Sequence, residues 1–419
     1  MIKFNYSKLA LIYQFIIIFF LGTWYKNSIQ FKIFLISIDT IISLFYLYKN
    51  NLSRSDLKKV YILITTVLVS LFLPSFMSRV SFILLILQKL YIFNHIINDI
   101  KFEYLLSVFL QFIVLLTFCM GLEFISLGQF NPFKTFYAPR VLLDMSFKVG
   151  TPLYVLRSSL EHPLITSIIL VVTGPFLFLL EKKWLRYVCV FLNIILIFFI
   201  QKRTAYILVS IGVVCFALYY LKYINRRFRL NKIISVIFLM TLFIIALSFI
   251  RVQGDYVLNI IFSKFSALQD ADSFSLNNRV INAKTGLDVI FDQNVINIFI
   301  GNGYDFLPNF FEQYNVYVIR NGFYVIDNTY ISFLADYGMI GLFLVLLYII
   351  DAIRKSMTNI YKIKSKKEQL FMLYSIIGII NLMVSIAFFD IYAWYTPLTL
   401  LIFLISVVTS YCKFHSNKF

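Results

Sequence analysis

Arg203 in IQKRTAYIL, Arg79 in MSRVS and the pair Asp327–Asn328 in VIDNTYIS carry the groups of this sequence best suited to chemistry. A guanidinium is a planar, permanently charged fork matched to phosphate oxygens. A carboxylate can take the proton of an attacking hydroxyl. Several such cations round one cavity would suit a phosphate-bearing lipid. Each residue also has a plainer reading. Arg79, Lys202 and Arg203 fit cations that snorkel to lipid headgroups, and Lys202 fits nothing better. Asp327, Asn328 or Thr329 would equally cap a helix, where negative charge is favoured. Lys89, in ILQKLYIF, falls inside an apolar run and needs a partner, for which Glu123 is one candidate. Asp336, deeper in the run that Asp327 opens, must face the protein interior for the same reason.

The elements that would hold these residues follow from composition. The chain has 419 residues, of which 60% are hydrophobic and 19% aromatic, with a mean hydropathy of +0.84. A soluble domain does not hide that much apolar surface. Continuous apolar runs recur at 8–25, 30–48, 60–77, 80–97, 104–125, 164–180, 185–201, 204–221, 233–250, 329–350, 369–389 and 397–412. They have the length of membrane-crossing helices and lack the alternation of a barrel strand. The sequence therefore predicts an all-α polytopic membrane protein of about twelve spans. The first run reads as a span and not a removable signal peptide.

The short loops KYINRRFRLNK (222–232) and RKSMTNIYKIKSKK (354–367) are strongly basic and put both termini in the cytoplasm. The net charge of +18 is then mostly a topology signal, and a nucleic-acid surface is not expected. Four cysteines in or beside spans form no CxxC pair and read as core residues. The three histidines are scattered, so no metal cluster or histidine triad is predicted. Asp270-Ala271-Asp272 has the DxD form of metal-dependent sugar-nucleotide transferases, but such pairs of acids are common in loops.

Two non-cytoplasmic segments are long, 126–163 and 251–328. The division expected is a nine-helix part over 1–250, a loop subdomain over 251–328 and a three-helix part over 329–419. In the first long segment Arg140, Asp144 and Lys148 would share a helical face as a salt-bridge stripe. In the second, 273–292 has Val280, Ala283, Leu287 and Phe291 at helical spacing, an amphipathic helix on the membrane or over a cavity mouth. Gly301-x-Gly303 follows as a turn signal, or as a place where backbone amides approach a phosphate. Gly338 and Gly341 would let another helix pack closely.

Three stretches together resemble the O-antigen polymerase and ligase superfamily, the Wzy- and WaaL-type integral membrane glycosyltransferases, with a GT-C-like layout. QKRTA places Arg203 where that family carries a basic motif opening a span. NNRVINAKTGLDVI with GNGYDF resembles its arginine-helix-GxG loop, through Arg279, Gly301 and Gly303. DNTYISFLADYGMIGL resembles the opening of its next helix, through Asp327, Asn328 and Tyr330. One position departs: ligases have a histidine where this chain has Asp327, which leans the resemblance toward the polymerase branch.

The resemblance implies glycosyl transfer from an undecaprenyl-diphosphate-linked glycan donor to a second lipid-linked repeat unit, at the outer face of the inner membrane. It implies no cofactor and no metal, since arginines can stabilise the diphosphate that leaves. Arg203 and Arg279 would do this, with Arg79 and Arg320 as further candidates, and Asp327 would orient or deprotonate the acceptor. Membrane lipids, a flippase and a chain-length regulator would be partners. Two alternatives stand beside this reading: an O-antigen ligase with a lipid A-core acceptor, and a polysaccharide flippase or other transporter. A transporter usually shows two homologous halves, and none is visible here.

Overall fold

The computed structural model describes residues 6–49, 78–151, 154–200, 202–223, 251–252, 255–256, 274–303, 305–314, 327–391 and 394–416. The expected spans 60–77 and 233–250, the DxD stretch and Arg320 lie outside these residues. So do the side chains of Arg79, Arg203 and Arg279.

The described residues are helical apart from loops and one two-residue antiparallel pair, Arg251–Val252 with Asp255–Tyr256. Helix α1 (Tyr6–Ile16) passes through a π turn into α2 (Gly22–Asn27), and α3 (Ile29–Lys49) returns. Then come α4 (Ser78–Asp99), α5 (Phe102–Ile125), the short α6 (Pro139–Ser146), α7 (Pro163–Thr173), α8 (Lys183–Ile200) and α9 (Arg203–Tyr223). The second long segment supplies α10 (Phe274–Phe291), α11 (Val295–Ile300) and α12 (Phe306–Tyr314). The last three are α13 (Thr329–Asn359), α14 (Lys366–Ser385) and α15 (Tyr395–Ser416).

Among the described residues, six helices are long and apolar enough to cross a membrane, and three shorter apolar ones accompany them. The chain is a multi-pass membrane protein. Apolar runs become helices because lipid offers the backbone no hydrogen-bond partner outside the run. Capping fixes several ends: Pro139 and Pro163 open α6 and α7, and Ser365 accepts the Glu368 N–H to open α14.

Most of the helices share one core that runs through the bundle, with α15 packed against α4, α13 and α14, while α10 and α12 pack on α13 in a separate cluster. At one end, called here the basic end, Ser7 and Lys49 meet Asp99 and Lys367 meets Glu181. Phe102 meets Phe371 and Tyr411 edge to face there. The opposite end, the loop end, is closed by the 126–162 segment, where Thr23 donates to the Ser159 carbonyl and Asn27 to that of Phe136.

Lys89 is 1% exposed, and its partner is Asp39 on α3 at 2.6 Å, not Glu123. Gln14 of α1 completes the group, donating to Asp39 at 2.7 Å and accepting from Lys89 at 2.7 Å. Glu123 lies at the loop end of α5, where its carboxylate takes the Tyr154 hydroxyl and the N–H groups of Arg157 and Ser158. The sequence reading matched charges; the fold separates them by depth, since Lys89 lies midway along α4. The stripe expected at Arg140, Asp144 and Lys148 forms only in part. Lys148 and Arg157 both reach Asp144, and the Lys148 ammonium holds that carboxyl below its usual range.

Candidate functional site

The N-terminus of α13 sits at the loop end, pinned from three sides. Asn328 is its cap, accepting the N–H groups of Tyr330 at 3.0 Å and Ile331 at 3.3 Å. The Thr329 N–H donates to the Ile386 carbonyl, and its hydroxyl bridges the Phe389 carbonyl and the Ile391 N–H. The Tyr330 hydroxyl donates to the Met383 carbonyl at 2.6 Å. These bonds lock the start of α13 to the end of α14 and the turn that follows. Asp327 is half-buried immediately before the cap. Of the alternatives open in the sequence, the cap therefore falls to Asn328, and Asp327 is not needed for it.

One turn into α13, Ser332 donates to the Asp390 carboxylate at 3.2 Å. Asp390 is 8% exposed and belongs to the turn between α14 and α15. Sequence reasoning passed over it. Its signal was an acid in AFFDIYAW, a short outer connection between two apolar runs, where solvation alone would not place a buried carboxylate. Beside this turn the Trp394 ring lies 5.3 Å from that of His162, whose Nδ1 caps α7 by accepting the Leu164 N–H. The loop end thus gathers two carboxylates, a serine hydroxyl and a histidine next to the helix that DNTYIS opens.

The backbone puts three of the arginines expected at the site in relation to it. Arg203 opens α9 and Arg79 lies in the first turn of α4, both at the loop end. For α9 the direction is fixed by Tyr219, stacked on Tyr361 at the basic end. Arg279 lies in the second turn of α10, and that helix packs on the first turns of α13 through Leu287 and Ile290 against Ile331, Leu334 and Ala335. The buried face of α10 is Asn282, Ala283, Leu287 and Ile290. Val280 and Phe291, expected on that face, are 59% and 57% exposed.

Gly301 and Gly303 form a turn and not a phosphate cradle, because their amides are taken. The Gly301 N–H donates to the Asn297 carbonyl, that of Asn302 to Ala335 at 2.8 Å and that of Gly303 to Asp336 at 3.3 Å. The receiving carbonyls are released by a break in α13 at Gly338, where φ is +69°. A Cβ on Gly338 would overlap the Phe299 carbonyl, and one on Gly301 the Asp336 carbonyl. Gly338 therefore admits a turn of backbone, while the nearest neighbours of a Cβ on Gly341 would be Tyr337 and Phe333 of its own helix. Asp336 is 2% exposed and accepts the N–H groups of Asp305 and Phe306 at 3.3 Å each, capping α12 from another helix. It faces the interior, as the sequence required, and each of its carboxylate oxygens accepts one backbone N–H.

Between α7, α8, α9 and α14 lies an almost wholly apolar cleft of about 490 Å³, with Asn193 and Asn381 at its wall. Its α9 side descends from the turn that Arg203 begins. Its walls suit a hydrocarbon chain.

Residues 188–346 match a family model, Wzy_C, whose description is O-antigen ligase. The matched stretch runs from α8 through α9–α12 into α13, and so contains Arg203, Arg279, Gly301, Gly303 and Asp327. The similarity is to the O-antigen ligase and polymerase superfamily, above the division between its two branches. No curated protein matches the chain.

Proposed function

We propose that this protein is a polymerase that joins lipid-diphosphate-linked oligosaccharide repeat units at the outer face of the cytoplasmic membrane. The observation that carries the reading is the position of one family match, which spans the arginine helices and the start of α13 that the fold brings to one end. Members of that family transfer glycosyl groups. The donor is a glycan on undecaprenyl diphosphate, with its tail in the apolar cleft beside α9. Arg203 and Arg279 bind the diphosphate, assisted by Arg79 and Arg320. An acceptor sugar hydroxyl attacks the anomeric carbon, the bond from that carbon to the diphosphate oxygen breaks, and Asp327 takes the hydroxyl proton. The guanidinium groups stabilise the charge that develops on the leaving diphosphate, the largest electrostatic demand of the reaction. Asp390, held by Ser332, is a second carboxylate within the same end and orients the acceptor. The division into two membrane parts and an intervening loop subdomain over 251–328 belongs to this reading.

A second reading has its own support. The family description names a ligase, which would pass the glycan to lipid A-core instead. Asp327, where ligases have histidine, favours the polymerase.

Purified protein in liposomes, given a synthetic lipid-diphosphate repeat unit, is expected to lengthen the glycan. Arg203→Ala and Arg279→Ala should each lower the rate by about 10²–10³ with the protein still folded, as for loss of one charge-stabilising donor. In cells lacking the gene, a surface ladder reduced to one repeat unit on lipid A-core fits the polymerase. Loss of every unit with lipid-linked polymer accumulating fits the ligase. An unchanged ladder and no lengthening in liposomes would reject both.

A further inference from the structure

We infer that α11 is embedded in the outer leaflet, so that the extracytoplasmic loop is anchored in the bilayer by its own short helix. The inference rests on the multi-pass reading of the chain and is independent of the reaction proposed above.

Four of the six residues of α11 are large, apolar and outward: Val295 at 68%, Ile296 at 68%, Phe299 at 45% and Ile300 at 60% exposed. A water-facing loop rarely presents such a concentration. The patch is not isolated. Gly338 brings the α13 backbone against the Phe299 carbonyl, so α11 lies directly beside the residues that follow the break. Those residues, Met339 and Ile340, are 45% and 52% exposed and lead into Phe343 and Leu344, at 61% and 59%. The outward surface of α11 continues the lipid-facing surface of a membrane-crossing helix.

The backbone supports the same conclusion. Irregular main chain is tolerated at membrane depth only when its polar groups are satisfied internally. Here the two irregular pieces are joined to each other by main-chain hydrogen bonds. The carbonyls freed at the Gly338 break receive the N–H groups of Asn302 and Gly303. The start of α11 is capped by the Asn294 side chain, which accepts the Asn297 N–H at 2.9 Å. The exposed Asp292 precedes α11 and marks where the chain returns to water. A short apolar helix, capped at one end and bonded to a broken helix at the other, is built to sit among acyl chains.

The test uses the full chain with its four cysteines replaced, carrying Ile296→Cys or Phe299→Cys labelled with a small environment-sensitive fluorophore. Phe343→Cys serves as the lipid-facing reference and Asp292→Cys as the aqueous one. In liposomes of phosphatidylcholine and phosphatidylglycerol, nitroxide on the acyl chains should quench positions 296 and 299 as strongly as 343. Aqueous iodide should quench them far less than 292. Behaviour matching 292 would mean that α11 faces water and would overturn the inference. Resistance to both quenchers would mean that protein covers the patch, from this chain or a second copy, and would overturn it equally. The two references report whether the labelled protein has folded and inserted. No substrate enters the experiment, so its failure is separable from failure of the proposed reaction.

Discussion

At the scale of single residues the strongest constraint is the buried group of Lys89, Asp39 and Gln14. A lone charge in the bundle interior costs several kcal/mol, whereas a hydrogen-bonded pair nearly offsets its own desolvation. Lys89→Met should therefore destabilise the protein by about 3–5 kcal/mol, because it leaves Asp39 buried and unpaired. Adding Asp39→Leu should restore most of the loss, which thermal unfolding in detergent would record. A double variant that stays as unstable as the single one would contradict this account. The sequence marked Lys89 as a residue in need of a partner, and the structure buries it within α4. It did not reveal Asp39, because charge complementarity carries no information about depth. Glu123 matched in sign, yet it lies at the loop end of α5 while Lys89 lies midway along α4. Asp390 was missed for a related reason: a single acid in a short loop looks solvated until the turn around it is known to be buried.

At the scale of elements, the run from Thr329 to Asn359 is two helices that share an axis of sequence but not of backbone. Hydropathy averages over a window, so one glycine with positive φ leaves no trace in it. The turn at Gly301-x-Gly303 was legible from residue type, and its docking on the break at Gly338 was not, since 37 positions separate the two glycines. Their interlock explains why Asp336 is acidic. The carboxylate caps α12 from across the turn, fixing that helix to α13, which Asp327 precedes. Gly338→Ala adds a Cβ where the Phe299 carbonyl already sits and imposes a positive-φ, extended backbone open essentially only to glycine, costing about 1–3 kcal/mol before any clash. Hydrogen exchange should quicken at Asn302, Gly303, Asp305 and Phe306, and the rate of glycan lengthening should fall. Exchange unchanged at these amides would mean that the two turns are not coupled.

At the scale of the whole molecule, hydropathy gave the layer architecture because lipid imposes it: an apolar run of the right length has only one satisfactory backbone conformation. Among the described residues, the six helices able to cross a membrane begin within a few residues of expected spans. Side-to-side neighbours were illegible, since lipid-facing and core-facing apolar residues have the same composition. The ends of the bundle carry the remaining information. RKSMTNIYKIKSKK joins α13 to α14 at the same end as Lys49 and Asp99, and the candidate site lies at the opposite end. Positive loops remain cytoplasmic, so the site should face outward. With the native cysteines replaced, Ile29→Cys at the loop end should react with a membrane-impermeant maleimide in intact cells. Lys364→Cys at the basic end should react only after the membrane is opened. The reverse pattern would turn the site toward the cytoplasm, where a lipid-linked repeat unit already moved to the outer leaflet could not reach it. The proposed polymerase would then fail on topology alone, whatever the arginines bind.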